Sequence, residues 1–283
     1  MSNSSKSKND NLDLKYLQVF EYGNKKNNKI ILFIHGFYTD HRCFEPIYEV
    51  LSKTHKCICF NLPGCGNDPN IKYPTKYLSL EAMAKLITKY IIENDLKNFV
   101  LIGHSLGAAI SVLINKELKN TRIKNLILLA PYSLASIPSV IDKVFMFNIK
   151  NQNQFVKLQN NLFVDYRNAL KKVGRSEEEY FKEFIDFDKR NHKYVFHILI
   201  KLTHLISLKN LNDSYKFIKI PTHVFLGKKD KLVDFYIVGR YLSTQVGDNV
   251  EIYPYNNCGH AFFIENHEQF IKDIRKIIKN EKK

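Results

Sequence analysis

The sequence predicts an α/β protein with a mostly parallel, twisted sheet, helices on both faces of that sheet and a helical cap inserted into it. Three observations support this prediction. Several short segments are apolar throughout, as strands are when both faces of a parallel sheet are covered. Amphipathic helical segments separate these strands, and such alternation favours parallel pairing. The alternation breaks over residues 132–219 and then resumes, which indicates an insertion.

Strand-like and helix-like segments alternate from about residue 15 to residue 131. Predicted strands lie, in order, in "YLQVFEYG", "KIILFIHGF", "KCICFNLPGCGND", "NFVLIGHS" and "NLILLAPY". A helix is predicted after the third of these strands, and Ser79 is a suitable N-cap for it. Apolar residues then recur at helical spacing, at Leu80, Met83, Ala84, Ile87 and Ile91. The segment "LGAAISVLINKEL" predicts a second helix, after the fourth strand.

The same alternation resumes after the insertion. "IPTHVFLG" and "NVEIYPY" predict two further strands, with a helix near residues 235–246 between them. The last helix is amphipathic, with apolar residues at Phe270, Ile271, Ile274, Ile277 and Ile278. We therefore expect a core domain formed by residues 15–131 and 220–283, a helical cap formed by residues 132–219, and a disordered tail over residues 1–14.

The composition is typical of an intracellular globular protein. Hydrophobic residues make up 45% of the 283, which is enough for a substantial core. The N-terminus, "MSNSSKSKNDN", lacks the apolar stretch of a secretory signal, and no apolar run reaches the ~18 residues of a membrane-spanning helix. The five cysteines lack disulfide or zinc-site spacing, so we interpret them as small buried residues in a reducing compartment. We expect a cytoplasmic protein.

The net charge of +15 suggests a nucleic-acid partner, but the residue types do not favour one. All but seven of the 43 basic residues are Lys and are spread along the whole chain, whereas surfaces that read bases and clamp phosphates rely on Arg. Such a charge still attracts anionic membrane surfaces weakly, through Coulomb terms alone. We expect no nucleic-acid partner and, at most, a weak membrane association.

The stretch "LIGHSLGAA" places Ser105 between Gly103 and Gly107, at the junction of a predicted strand and a predicted helix. Gly-x-Ser-x-Gly in this position is the nucleophile-elbow pattern. A tight turn lifts the serine hydroxyl above the sheet, and the glycines let the neighbouring backbone pass close by. The N-terminus of the following helix directs its dipole at the same spot, where it favours developing negative charge. Ser105 is therefore the candidate nucleophile.

A serine hydroxyl needs a base to become nucleophilic, and His260 is the best placed of the ten histidines. It lies in "NNCGHAFF", after the last predicted strand, at the carboxyl edge of the sheet where Ser105 should also emerge. His104 adjoins Ser105, but side chains that flank an elbow point away from the nucleophile. We interpret His35 as shaping its own loop.

The base needs an acid that fixes its tautomer, and Asp230 is the preferred candidate. It lies in the turn of "FLGKKDKLV", three residues after the strand that ends at Gly227, again at the carboxyl edge. Asp234 follows the same strand and remains a rival, although its position suits the cap of the next helix. The chain order Ser105, Asp230, His260 is the nucleophile, acid and base order of α/β-hydrolases.

On these motifs the chain resembles the α/β-hydrolase family over about residues 15–131 and 220–280. "FIHGF" is similar to the first oxyanion loop of that family, and "FNLPGCGND" to its Asp-x-Pro-Gly-x-Gly-x-Ser segment. "GHSLG" resembles the elbow, "VFLGKKD" the acid turn and "NNCGH" the histidine loop. Asn61 departs from the Asp that the family often has, at a position that is not catalytic. The resemblance implies an oxyanion hole formed by the backbone N–H groups of Phe37 and Leu106.

Together these residues predict a serine hydrolase that cleaves carboxylic esters through an acyl-enzyme, without a metal or an organic cofactor. The expected partner is a small-molecule ester. Large apolar residues of the insertion favour an apolar acyl chain if a few of them face the cleft. They are Phe145, Met146, Phe147, Phe155, Phe163, Tyr166, Phe181, Phe184, Phe187 and Phe196.

Three other functions remain open. An aminopeptidase similar to proline iminopeptidases would need an acidic cap residue for the substrate amine, and the candidates are Glu177, Glu178, Glu179 and Glu183. A thioesterase would use the same chemistry on a different bond. A receptor would keep the pocket without catalysis, although it would have no need of both an acid and a base.

Overall fold

The computed structural model describes residues 12–147 and 149–279, and a seven-stranded sheet forms its centre. The strands are β1 (Gln18–Tyr22), β2 (Ile30–Ile34), β3 (Lys56–Asn61), β4 (Phe99–His104), β5 (Ile123–Leu129), β6 (Thr222–Gly227) and β7 (Val250–Tyr255). They lie in the spatial order β1-β3-β2-β4-β5-β6-β7. β1 pairs with β3 in the antiparallel sense, and every other pair is parallel. The mostly parallel sheet that the sequence predicts is confirmed.

Helices account for most of the remaining described residues. The α-helices are α1 (Glu45–Leu51), α2 (Leu80–Glu93), α3 (Leu106–Glu117), α4 (Ile137–Asp142), α5 (Gln152–Leu162), α6 (Tyr166–Lys172), α7 (Glu177–Leu202), α8 (Leu205–Lys216), α9 (Phe235–Val246), α10 (Phe262–Glu265) and α11 (His267–Lys279). The Ser79 side chain caps α2 by accepting a hydrogen bond from the Ala82 N–H, as its position in the sequence predicts.

The sheet is buried between two layers of helices. In one layer, α2 contacts α3, α3 contacts α8, and α8 contacts α9. In the other layer, α1 contacts α11. All six residues of β4 are buried, which explains why this strand is apolar throughout and not alternating. α11 is amphipathic because only one of its faces, which includes Phe270 and Ile274, packs on the core.

The segment between β5 and β6 contains helices and no strand among its described residues. Residues of α4 to α7 line a pocket at the carboxyl edge of the sheet, and we call the described part of this segment before α8 the cap. α8 differs, because it packs beside α3 and α9 in the core layer. Lys116 Nζ of α3 donates to Asn210 Oδ1, at 2.9 Å, and the Tyr241 hydroxyl of α9 donates to Asn212 Oδ1, at 2.7 Å. The predicted insertion over residues 132–219 thus includes one helix that packs with the core.

The packed chain begins before residue 15. The tail predicted for residues 1–14 lies largely outside the described residues, but Leu12 is buried and its carbonyl accepts a hydrogen bond of 2.7 Å from Lys89 Nζ. Cys57, Cys59, Cys65 and Cys258 are buried, as we expected for small apolar side chains. Within the described residues, no helix combines the length and the apolar character needed to cross a bilayer.

Candidate active site

Ser105 occupies a strained turn between β4 and α3. Its backbone has φ 51° and ψ −112°, a conformation that residues with a Cβ rarely adopt and that clusters at functional sites. The turn is held from both sides. The Ser105 N–H donates to Leu129 O of β5, at 2.8 Å, and the Ser105 carbonyl accepts from Ala108 and Tyr132 N–H groups, each at 3.1 Å.

Steric contacts explain why both flanking positions of the elbow, Gly103 and Gly107, are glycines. A Cβ at Gly103 would overlap the Gly107 carbonyl and the Ser111 hydroxyl of α3. A Cβ at Gly107 would overlap the carbonyl oxygens of Ile34 and His35 at the end of β2. Small residues are therefore required because α3 begins in direct contact with its own strand and with the neighbouring one.

Asp230 and His260 are joined by a hydrogen bond. His260 Nδ1 lies 2.7 Å from Asp230 Oδ2, and both residues are buried. The other carboxylate oxygen accepts from the Leu232 and Val233 N–H groups, at 2.7 and 2.9 Å. In this pair the Nδ1–H group donates and the carboxylate oxygen accepts. Asp234, the rival acid, instead caps α9 through its Oδ1.

Ser105 and His260 line one pocket, so the structure brings together the predicted nucleophile and the predicted base. Between these two described residues it records no hydrogen bond, whereas His260 is bonded to Asp230. Contacts between a nucleophile and its base are often long without substrate and shorten when the substrate binds.

Phe37 and Leu106 line the same pocket beside Ser105. Leu106 is the first residue of α3, so its N–H has no partner within the helix. For the Phe37 N–H the structure records no acceptor within the described chain. Two backbone donors near the serine are the arrangement that an oxyanion requires.

Two further histidines, His35 and His104, stabilise the loops of the site and are not candidates for the base. His35 Nε2 accepts from the Leu62 N–H, at 3.1 Å, and its Nδ1 donates to the Gly36 carbonyl, at 2.7 Å. Burial lowers the pKa of His35 to about 4, so it is neutral and fixes its loop. His104 Nε2 lies 3.2 Å from the His260 carbonyl oxygen, and burial lowers the pKa of His104 well below its usual value. The sequence alone did not reveal this support of His260 by His104.

The sequence matches a known protein family and several proteins of the esterase/lipase type. The family model described as "alpha/beta hydrolase fold" matches residues 29–267. The chain belongs to the α/β-hydrolase family. It is 28% identical over 251 residues to "Putative esterase/lipase 2" of Mycoplasma genitalium, a match that covers 86% of each chain. It is 27% identical over 276 residues to "Putative esterase/lipase 3" of Mycoplasma pneumoniae, covering 96% of this chain and 95% of that protein.

Solved structures agree at the level of the fold. An esterase from Exiguobacterium antarcticum superimposes with a TM-score of 0.73 over 93% of this chain and 95% of that chain, at 16% sequence identity. The α/β-hydrolase fold that the motifs predicted is therefore confirmed. The chain is an α/β hydrolase similar to proteins of the esterase/lipase type.

The pocket of this α/β hydrolase encloses about 180 Å³ between the sheet edge and the cap. Four of the cap aromatics that the sequence singled out line it, namely Phe147, Phe163, Phe184 and Phe187. Phe155 packs against Phe181 within the cap, and Phe196 faces solvent. The side chain of Phe145 lies outside the described part of the structure. The apolar lining that the cap supplies therefore combines a minority of its aromatic residues with aliphatic ones such as Leu158 and Leu170.

One side of the pocket carries a cluster of ion pairs between the core and the cap. Arg42 holds Asp40 through both carboxylate oxygens, the shortest contact being 2.7 Å, and it lies 3.5 Å from Glu183 of α7. Arg175, which precedes α7, pairs with Glu183 at 3.2 Å and with Glu45 of α1. Sequence reasoning missed this cluster, because its members come from distant segments and share no local pattern.

Proposed function

We propose that the protein is a serine hydrolase of carboxylic esters in which Ser105 is the nucleophile, His260 the base and Asp230 the acid. The observation that carries this proposal is the 2.7 Å hydrogen bond that orients His260 beside the pocket of the strained Ser105. The named esterase/lipase relatives support the same reaction class.

The reaction proceeds in two half-reactions. Ser105 Oγ attacks the ester carbonyl carbon while its proton passes to His260 Nε2, and Asp230 stabilises the resulting imidazolium. Backbone N–H groups of Phe37 and Leu106 donate to the oxyanion, each contributing ~3 kcal/mol to the lowering of the barrier. His260 then protonates the departing alcohol, which leaves an acyl-serine. Water attacks this acyl-enzyme with His260 as the base, and the carboxylic acid leaves.

The pocket favours a short, apolar acyl chain. Its volume of about 180 Å³ compares with an engineered cavity of about 150 Å³ that holds one benzene molecule. With the cap in the described position, we expect room for roughly six carbon atoms, so butanoate and hexanoate esters should be better substrates than palmitate esters.

The aminopeptidase alternative is weakened because three of its four candidate acids are paired and the fourth, Glu178, is exposed and not among the residues that line the pocket. Glu177 binds Arg167 and Tyr166, and the Glu179 side chain accepts from the backbone N–H of Ser176 in a capping box. Glu183 lines the pocket, but two arginines neutralise it. A substrate amine would have to displace one of those arginines. A thioester would meet the same residues as an ester, so thioesters belong in the same assay.

The net charge adds a weak attraction to anionic membrane surfaces to this proposal. A lipid ester would then be a substrate class that the protein could reach at a surface. The acyl preference is measured first, because it does not depend on the surface.

The test is hydrolysis of p-nitrophenyl esters from acetate to palmitate by wild type, Ser105→Ala and a control, Ser243→Ala, whose serine is exposed on α9. We expect turnover that peaks near hexanoate, persists in Ser243→Ala and vanishes in Ser105→Ala. A fluorophosphonate probe should label wild type and not His260→Ala. Folded wild-type protein that neither turns over esters nor takes up the probe would overturn the proposal and favour a receptor.

A further inference from the structure

Four large apolar side chains face solvent where α7 and α8 meet. The exposed fraction is 81% for Leu205, 73% for Ile206, 59% for Phe196 and 56% for Ile200. Phe196 and Ile200 are four residues apart and share one face of α7. Leu205 and Ile206 are the first two residues of α8, which begins after a two-residue turn. We call these four residues the apolar corner. Neighbouring apolar side chains with this exposure mark an interaction site.

Basic residues predominate in the segment that carries the apolar corner, which lies between Asp188 and Asp213. Residues 189–212 contain five Lys and Arg residues, three His residues and no Asp or Glu. Lys193 and Lys209 are exposed near the corner, whereas Lys201 is half-buried and donates to the Thr75 carbonyl. An apolar tip with a basic rim matches a bilayer with anionic headgroups, since Lys side chains meet the phosphates while apolar side chains enter the interface.

The same part of α7 also forms a wall of the pocket. Leu199 and Leu202 line the pocket, while Ile200 points to solvent. We infer that the apolar corner docks the protein on an anionic lipid surface. Docking there places the bilayer against the outer side of the pocket wall. This inference deepens the weak membrane association proposed above, and it does not depend on ester hydrolysis.

The test measures vesicle binding in a Ser105→Ala background, so that lipid hydrolysis cannot alter the vesicles. We expect co-sedimentation with vesicles of phosphatidylglycerol and phosphatidylcholine, little with phosphatidylcholine alone, and weakening in about 0.5 M salt. Leu205→Asn with Ile206→Asn should lower the apparent binding constant at least about ten-fold. The matched control is Tyr236→Asn with Ile237→Asn, which removes a similarly exposed pair from α9 and should leave binding within about two-fold.

Three outcomes would overturn the inference. Wild type that ignores anionic vesicles excludes membrane docking. An equal loss of binding in both double variants excludes a specific surface. A dimer by light scattering that the Leu205 and Ile206 substitutions dissociate shows that a second copy covers the corner. Because none of these readouts uses catalysis, they leave the esterase proposal to its own test.

A second inference rests on a different observation, the carboxylate of Glu265, which bridges the cap and the histidine loop. Glu265 is buried at the end of α10. Its Oε2 accepts from the Gly259 N–H, at 2.6 Å, next to His260. Its Oε1 accepts from the N–H groups of Val164 and Asp165, at 2.7 and 3.3 Å, between α5 and α6 of the cap.

Other contacts join the same two segments. The Ala261 N–H donates to the Leu162 carbonyl, at 3.1 Å, and Lys172 Nζ donates to the Glu265 carbonyl, at 3.0 Å. A small apolar cluster, separate from the main core, packs at this junction; its buried members are Phe163, Tyr166, Ala169, Leu170 and Ala261. The residues on both sides of His260 are therefore hydrogen-bonded to the cap or to the carboxylate that binds it.

The geometry points to Glu265 as a positioning residue that makes the placement of His260 depend on the docked cap. This inference rests on the proposed function, because it takes His260 as the base. Proton transfer needs a placement accurate to well under 1 Å, and an error of about 1 Å can lower a rate about 100-fold.

The test is Glu265→Gln, which keeps the shape but turns an NH₂ group toward a backbone N–H on one side. We expect kcat and the rate of fluorophosphonate labelling of Ser105 to fall at least about ten-fold, with KM within about two-fold. Glu268→Gln, exposed on α11, is the matched control and should match wild type. Lys172→Met breaks only the contact with the Glu265 carbonyl and should lower kcat by about two- to three-fold.

A Glu265→Gln variant with wild-type kcat and a lowered Tm would overturn the inference and leave Glu265 a structural role. If Glu265→Gln does not fold, an unchanged kcat in Lys172→Met would likewise overturn the inference. Wild type that lacks both turnover and labelling would instead refute the proposed function, so the two failures are distinguishable.

Discussion

The sheet edge and the cap form opposite walls of one pocket, and they are held together by different interactions. On the sheet edge, backbone hydrogen bonds and close packing fix Ser105 and Asp230. On the cap, side-chain ion pairs such as that of Arg175 with Glu45 of α1, which are partly exposed, join the wall to the core. Groups that must react need fixed geometry, whereas a wall that contacts the substrate can vary in shape.

The largest effect should come from the acid on the sheet edge. Asp230→Asn keeps the size of the side chain but can no longer fix the proton of His260 on Nδ1, so we expect kcat to fall about 10⁴-fold. Asp234→Asn should leave kcat within about two-fold, because Asn also caps helices well. Steady-state hydrolysis of a p-nitrophenyl ester by both variants makes the measurement.

The opposite result would reassign the acid. Near wild-type turnover in Asp230→Asn, with a large loss in Asp234→Asn, would mean that the hydrogen bond to His260 does not mark the working carboxylate. Loss in both variants would require a thermal melt, since a folded Asp234→Asn protein without activity would place Asp234 in the reaction.

Substituting one glycine in each wall compares how much stability the two walls lose when a side chain is added. At Gly107 an added Cβ overlaps the Ile34 and His35 carbonyls, so Gly107→Ala should lower the free energy of unfolding by at least about 3 kcal/mol. At Gly174, in the cap, nothing lies within 4 Å and φ is +72°. Gly174→Ala should therefore cost only about 1 to 2 kcal/mol, from the left-handed backbone. Urea denaturation of both variants measures the difference, and equal losses would contradict it.

These two regions also differ in how much the sequence could predict. Ser105, Asp230 and His260 each follow a predicted strand, and each stands in a short motif with Gly or a turn residue. Parallel strands end at one edge of a sheet, so local patterns were enough to place them together. The fold class followed from the same strands, because a strand that is buried on both faces has an unmistakable composition.

The contacts of the cap could not be predicted in this way. Arg175 and Glu45 are 130 positions apart and belong to no periodic pattern. Glu265 contacts a loop about one hundred positions earlier, so its role appears only in the folded chain. α8 has an ordinary amphipathic pattern, and sequence could not tell whether its apolar face meets the cap or α3. Long-range packing decides all three.

Acid should weaken the sheet edge through its buried histidines. Burial lowers the pKa of His35 from 6.5 to about 4, and it lowers that of His104 as well. Below pH 6.5 the unfolded chain binds protons that the folded chain excludes, so stability falls with falling pH. Each histidine contributes a slope of about 1.4 kcal/mol per pH unit in this range.

Urea midpoints between pH 7 and pH 5 measure this slope. His35→Gln should reduce the slope without abolishing it, because burial also lowers the pKa values of His41, His104 and His223. A stability that stays flat from pH 7 to pH 5 would show that the buried rings become protonated without cost, which contradicts their burial.

The smallest effect should come from the ion pairs of the cap. Arg175→Met removes the pairs with Glu45 and Glu183, which are partly exposed, so the free energy of unfolding should fall by only about 1 kcal/mol. The rate on an acetate ester should stay within about two-fold, because Ser105 and His260 are untouched. Esters with longer acyl chains should gain relative to acetate, since the cap wall is less firmly held. Lys171→Met, at an exposed position of α6, is the matched control.

Salt separates this explanation from simple loss of packing. About 1 M salt screens exposed pairs, so it should shift the acyl preference of wild type toward that of Arg175→Met. The variant should shift less, because of the described ion pairs between core and cap in this cluster it keeps only that of Arg42 with Glu183. A preference that ignores salt in both proteins would assign the effect to the alkyl part of the arginine side chain. A loss of acetate hydrolysis as large as that of Asp230→Asn would mean that the cap wall, like the sheet edge, holds the reacting groups in place.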